Sequence, residues 1–230
     1  MIMRWFNRGK KVVIKLNIYS RESKELVLSR NIVFEIPGTV SPKDIVLLSA
    51  HSDSWDIGQG ALDDGGGMAA MRAAMLAIQR LAKVDPSFRP KRTIRAIFWT
   101  AEEQGLLGAS YYYKSHLMCK ERFVFASESD QGAFRPRNFN SILRYQGDQR
   151  HRMIIAEIVD ILNANGIPLR IQNSRDQKWH PKLLLQRKDY YFNFHHSNAD
   201  YVSIFEEDDI KYTAGIFAVL AHNIANRDDW

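Results

Sequence analysis

Residues 45–83 read IVLLSAHSDSWDIGQGALDDGGGMAAMRAAMLAIQRLAK, and this stretch decides the fold. Its opening, Ile45 to Ala50, is an apolar run rich in branched side chains, which predicts a buried strand. Polar residues and glycines follow, and a helical pattern then runs from Gly67 to Lys83. A strand, a loop and a helix in this order make half of an α/β crossover unit. His51 then sits at the carboxyl end of the strand, and Asp63-Asp64 sits just before the helix. Carboxyl ends of strands are where α/β sheets build their sites.

Outward from this unit, apolar runs bounded by turn residues predict strands at Val12 to Ile18, Ile32 to Ile36, Thr93 to Trp99 and Phe123 to Ala126. Helical patterns follow at Gly105 to Met118, Arg150 to Ala164 and Asp208 to Ala225. Strand and helix in alternation predict an α/β fold whose central sheet is mostly parallel and flanked by helices. Two segments carry no clear pattern. Residues 131–149 are polar with scattered aromatics, and residues 173–192 mix charge with Trp179-His180-Pro181 and Leu183-Leu184-Leu185. Both read as loops that shape a pocket.

The chain has 230 residues, enough for one sizeable core, so a single domain over residues 1–230 is expected. Cys119 is its single cysteine, which rules out an internal disulfide. No apolar run follows the charged start Met1-Ile2-Met3-Arg4, so no secretory signal is expected in this chain. The most apolar helical stretch, Met68 to Leu81, is short and carries Arg72, Gln79 and Arg80, which makes it a core helix and not a membrane span. The net charge of +6 is concentrated early, where residues 1–30 hold eight Lys and Arg against Glu22 and Glu25. No dense basic face or nucleic-acid module accompanies it, so it reads as solvated surface and no nucleic-acid partner is expected.

Carboxylates and imidazoles recur where strands should end. His51-Ser52-Asp53 follows the first strand of the quoted stretch, and Asp53 is placed to accept the proton of the distal ring nitrogen of His51. Asp63-Asp64 with three following glycines reads either as an acidic helix start or as a carboxylate between two metal ions. Glu102-Glu103 follows Thr93 to Thr100. Two adjacent carboxylates at a buried strand end repel unless one binds a cation and the other handles a proton. Asp130 closes the strand Phe123 to Ala126 by the same logic. His195-His196, with Ser197 and Asp200 behind, completes the set. Asp200 is placed to orient His196, and His195 is the rival ligand. In an extended segment consecutive side chains point to opposite sides, so one of the pair should face the metals. Each group is weak alone; their order carries the case.

The strings HSDSWDIGQGALDDGGG, RPKRTIRAIFWTAEEQGLLGA, SESDQG and FHHSNAD resemble the catalytic domain of the co-catalytic zinc aminopeptidase and carboxypeptidase family, and within it the carboxypeptidase Q group, over residues 10–226. The resemblance implies the zinc-peptidase, phosphorylase/hydrolase-like fold with a mixed, mostly parallel sheet. It implies a cofactor of two Zn2+, with Asp63 bridging them, His51 and Asp130 on one ion, and Glu103 and His196 on the other. Glu102 would be the general base, with Asp53 behind His51. A small peptide substrate, a homodimer, and a secreted or lysosomal location are implied in the same way. By the resemblance, relatives carry a longer amino-terminal region with a protease-associated domain and this chain is expected to begin after it, and residues 173–188 depart from the usual pocket-forming segment.

Three functions follow. The first is a zinc-dependent exopeptidase of the carboxypeptidase or dipeptidase kind, with aminopeptidase specificity as its nearest alternative. The second is a truncated, non-catalytic binding protein of the same fold. The third, a basic nucleic-acid binder, rests on charge alone.

Overall fold

The fold is given by a computed structural model, which describes residues 2–173, 183–186 and 191–230. After a short helix α1 (Ile2–Asn7), the chain builds β1 (Ile32–Ile36), β2 (Ser41–His51), α2 (Gly66–Val84), β3 (Arg92–Trp99), α3 (Leu107–His116) and β4 (Arg122–Glu128). It continues through β5 (Ser141–Tyr145), α4 (Gln149–Ala164), β6 (Leu169–Asn173), β7 (Leu183–Gln186) and α5 (Asp209–Asn226).

The seven strands form one sheet in the order β1-β3-β2-β4-β7-β5-β6. β3, β2, β4 and β7 run parallel, while β1 is antiparallel to β3 and β7 is antiparallel to β5. The expected mixed, mostly parallel α/β architecture is therefore present. β2 lies at its centre, and the register that sets His51 opposite Trp99 and Ser49 opposite Glu128 brings three strand ends to one edge.

Alternation along the strands divides the core. Val46, Leu48 and Ala50 of β2, with Ile94, Ala96 and Phe98 of β3, pack against Met71, Ala74, Met75 and Ile78 of α2 and against Ile216, Phe217, Leu220 and Ile224 of α5. On the opposite face Leu47, Ile97 and Trp99 meet Tyr112 of α3 in a smaller cluster. At about 25 cal/mol per Å2, the larger cluster dominates the stabilisation.

The main helices and the four central and edge strands fall where the sequence puts them, within one to two residues at most ends. One strand does not. Residues 10–31 contain no helix or strand, and Val13, Ile14, Leu16 and Ile18 are all more than half exposed. An apolar alternating run becomes a strand only with a neighbour to complete its hydrogen bonds, and among the described residues none is paired with it. Conversely, β5, β6, which ends at the start of the unassigned 173–192 segment, and β7 within that segment join the sheet, although none of the three reads as a strand in sequence. The remainder of that segment, residues 174–182 and 187–190, lies outside the described residues.

Arg95 fastens the thinner face. It donates to both carboxylate oxygens of Glu121 at 2.7 and 2.8 Å, to Glu35 at 2.9 Å and to the Tyr112 hydroxyl at 2.8 Å, joining β1, β3, α3 and the entry to β4. The guanidinium holds the Glu121 carboxyl below its usual range, the hydrogen bond outweighing partial burial. A depressed folded pKa means that the contribution is full above the unfolded carboxylate pKa and is lost as pH falls through the folded value. Glu121→Ala is expected to lower unfolding free energy by about 1.5–3 kcal/mol at pH 7. In urea titrations the gap between wild type and variant should close toward the acid end; a gap that stays constant with pH removes the ion pair from the account.

Candidate metal centre

The three strand ends deliver His51, the Glu102-Glu103 turn and Asp130 to one place, and the loops before α2 and α5 add Asp63 and His196. Asp63 is the hub. Its Oδ1 lies 3.0 Å from His51 Nε2, which is also 3.2 Å from Asp130 Oδ1. Its Oδ2 lies 3.3 Å from His196 Nε2, which is also 3.0 Å from Glu103 Oε2. One carboxylate thus faces two separate imidazole and carboxylate pairs.

Backbone hydrogen bonds fix this arrangement. The Asp53 carboxylate accepts the N–H of Glu102 at 3.0 Å and of Glu103 at 3.1 Å. It does not reach His51 within hydrogen-bond distance: its Oδ1 is 3.7 Å from Nδ1, and the main-chain carbonyl of Asp53 takes that contact at 2.8 Å. The expected partner is therefore the right residue through a different group. Freed from the imidazole, the carboxylate clamps the turn that carries both glutamates, in which Ala101 adopts φ 51°. Such left-handed backbone costs of order 1–3 kcal/mol and persists where neighbours over-determine it.

Asp200 likewise departs from its expected task of orienting His196. Its two oxygens accept the N–H groups of Leu62 and Asp63, bracing the loop that holds the hub. Asp64, joined to Asp63 by a cis peptide bond, is buried and accepts from His51 N and Gly67 N. Any Cβ on Gly67 would stand 2.2 Å from Asp64 Oδ1 and 2.5 Å from the Ser129 carbonyl, so only glycine fits.

His195 and His196 do not point apart. They lie in a tight turn, with His196 at φ 53°, and their rings stack at 3.5 Å. Strand alternation does not apply in a turn, so both reach Asp63 Oδ2, His195 at 3.4 Å. His196 alone of the two has a described ion pair with Glu103. Two contributors escape the sequence entirely. Tyr191 is 2% exposed and hydrogen-bonds the Asp63 carboxylate. Trp55 donates its indole N–H to Glu103 Oε2 at 2.9 Å. A tryptophan two residues beyond Asp53, in a loop at a strand end, is the signal that could have found the latter.

Crowded acids without a cation distort their own titration. Burial drives Glu102 up to about 7, with Asp130 adding to it, and drives Asp130 up to about 6. Burial also raises Asp64 and Glu103. His51 is lowered by burial, but its contacts with Asp130 and Asp63 outweigh this and lift it to about 12. Asp63 Oδ2 and Glu103 Oε1 are buried without a hydrogen bond. Orphaned anionic oxygens beside imidazole nitrogens fit a divalent cation. His51, Asp63 and Glu103 form one triad of donor atoms within 4.8 Å of one another, and His51, Asp64 and Asp130 form another. Asp64 is the poorer candidate, because both its oxygens already hold backbone N–H groups.

A mostly parallel α/β sheet with an imidazole and carboxylate cluster at its carboxyl edge is the architecture of a metal-centred hydrolase. The signature of peptidase family M28 matches residues 31–206, and the chain belongs to that family. It is 36% identical to carboxypeptidase Q of Mus musculus over 238 residues, which takes in all of this chain and 48% of the relative, so the chain spans about half the length of the curated relatives it matches. Among solved structures, a peptidase M28 precursor from Shewanella amazonensis SB2B superposes with a TM-score of 0.72 at 30% identity, covering 86% of this chain and 45% of that one. BSAP, a zinc aminopeptidase from Bacillus subtilis, shares the fold with a TM-score of 0.62 at 21% identity, covering 86% of this chain and 50% of that one.

The clamp on the glutamate turn has a direct test. Asp53→Asn should leave the fold intact and raise amide exchange at Glu102 and Glu103 about tenfold, the effect of losing one hydrogen bond to a charged acceptor. Unchanged exchange in deuterium-uptake mass spectrometry would mean that Asp53 does not hold the turn.

Proposed function

We propose that this chain is the catalytic domain of a zinc-dependent exopeptidase of the carboxypeptidase or dipeptidase kind, built as one unit over residues 1–230. The observation that carries this reading is the division of labour at Asp63. Oδ1 faces His51 and Asp130, and Oδ2 faces His196 and Glu103, which supports two cations sharing one carboxylate. His51 and Asp130 would hold the first with Asp63, and Glu103 and His196 the second.

Bound zinc supplies Lewis acidity, lowering the pKa of a coordinated water from 15.7 toward ~7 and polarising a peptide carbonyl. Glu102 is the proton carrier. It stands beside the metal-ligand glutamate on a turn clamped by Asp53, and it feels the charges of Asp130 and His51. It takes the proton of the attacking water and returns it to the departing amine. A cleft lined by Trp55, Ile57, Asp63, Glu103 and His196 opens beside the cluster, and a cleft at a sheet edge suits a short peptide better than a folded chain.

Small peptides with free termini are therefore the proposed substrates. Ligands of this kind suit a terminal carboxylate or a terminal amine, and aminopeptidase specificity is the second reading; the identity to carboxypeptidase Q over the full chain favours the first. A non-catalytic binding role is less well supported, because the five proposed ligands lie together and Glu102 stands beside them. A homodimer and a secreted or lysosomal location are proposed from the resemblance. Exposed Tyr111, Tyr113, Leu117 and Met118 on and after α3 give a dimer an apolar surface to bury. Among the described residues no helix is long and apolar enough to cross a membrane.

Glu102→Gln should retain both zinc ions by metal analysis while kcat on a dipeptide panel falls about 10²–10⁴-fold. Turnover equal to wild type would remove Glu102 from the mechanism. Asp63→Asn should lose zinc as well as activity, since the hub carboxylate serves both ions; full zinc occupancy in that variant contradicts the shared-carboxylate reading.

A further inference from the structure

The indole of Trp55 stands where the two-cation reading needs open ligand atoms. The residue is 44% exposed, yet its Nε1–H points inward and donates to Glu103 Oε2 at 2.9 Å. The same nitrogen lies 3.1 Å from His196 Nε2, and those two acceptors are 3.0 Å from each other. The ring meets the His196 imidazole edge to face, with centroids 5.6 Å apart at 64°. A positively polarised hydrogen thus sits between the two side chains proposed to hold one cation.

An imidazole nitrogen carries one lone pair, so Nε2 accepts the indole N–H or binds a metal, and not both. The N–H dipole, aimed at this pair, also presents its positive end to any cation that arrives there. We infer that Trp55 is a placeholder for the cation at Glu103 and His196: its N–H holds the two donor atoms together in the metal-free protein and is released when the ion binds. This rests on the two-zinc reading given above. The site of His51, Asp130 and Asp63 Oδ1 has no described contact with Trp55. Its ion should therefore enter without moving the indole, and only the second ion should be coupled to it.

Zinc titrated into metal-free wild type and Trp55→Phe, followed by calorimetry and by tryptophan emission, tests this. The chain has five tryptophans, so the Trp55 signal is the difference between the two proteins. The expected result is an emission change with the second equivalent alone, absent from the variant. Because the variant has no hydrogen bond to give up, its second-site affinity should be about tenfold tighter than wild type. Second-site affinity that is unchanged or weaker in Trp55→Phe, with Trp55→Ala agreeing, would make the indole a support for bound metal and overturn the placeholder. Wild type that takes up no second zinc would instead overturn the two-zinc reading, and it is recognised from stoichiometry before any affinities are compared.

Discussion

Negative charge confined at one sheet edge is the constraint on which this molecule is organised. Asp63, Asp64, Glu103 and Asp130 converge on His51 and His196, and Glu102 stands beside them. Two buried anionic oxygens are left without hydrogen bonds. Without a counter-ion, such a cluster lowers its energy by taking up protons, which is why burial and mutual repulsion raise Glu102, Glu103, Asp64 and Asp130 together. Divalent cations resolve the same conflict without neutralising the acids. In the two-cation arrangement proposed above, the crowding of these acids would be relieved by the ions they hold.

The fold supports this through position and through backbone donors. A central parallel strand flanked by parallel neighbours brings three strand ends to one edge, so residues distant in sequence meet without long reaches. Asp53, Asp64 and Asp200 then spend their carboxylates on main-chain N–H groups of the loops that carry the ligands. These three acids are not ligands in the arrangement proposed here. They fix loop geometry, and their charge-assisted hydrogen bonds are stronger than neutral ones. The packed core of β2, β3, α2 and α5 lies directly beneath, which gives the loops a rigid base.

Much of this was legible in the sequence, for identifiable reasons. Strands such as Ile45 to Ala50 and helices such as Gly67 to Lys83 are read from periodicity, which local chemistry sets. The position of each acid or histidine at a strand end follows from the same pattern. What escaped depends on contacts that periodicity does not encode. Val12 to Ile18 has strand chemistry but no partner strand among the described residues, whereas β5 and β7 are strands because neighbours accept them. Opposed side chains for the His195-His196 pair require extended backbone, and the positive φ at His196 places the pair in a turn instead. Asp53 and Asp200 lie by the expected loops but bind main-chain nitrogens instead of imidazoles, because residue identity does not encode bonds to the backbone.

This division between bracing acids and liganding acids bears on how metal binding and folding are coupled. In small zinc domains the ligands themselves hold the chain together, so removing the ion unfolds the protein. Here the loops are braced by hydrogen bonds within the chain, and the hydrophobic core lies in other residues. Ions held at the proposed site would therefore add stability by mass action rather than create the fold. Preorganisation has a second effect. Because Asp63 is held from three directions, by Tyr191 at its carboxylate, by Asp200 at its own N–H and by His51 at Oδ1, little ordering remains to be done when cations and substrate arrive. That leaves binding energy available to the transition state, which is where a hydrolytic site benefits from it.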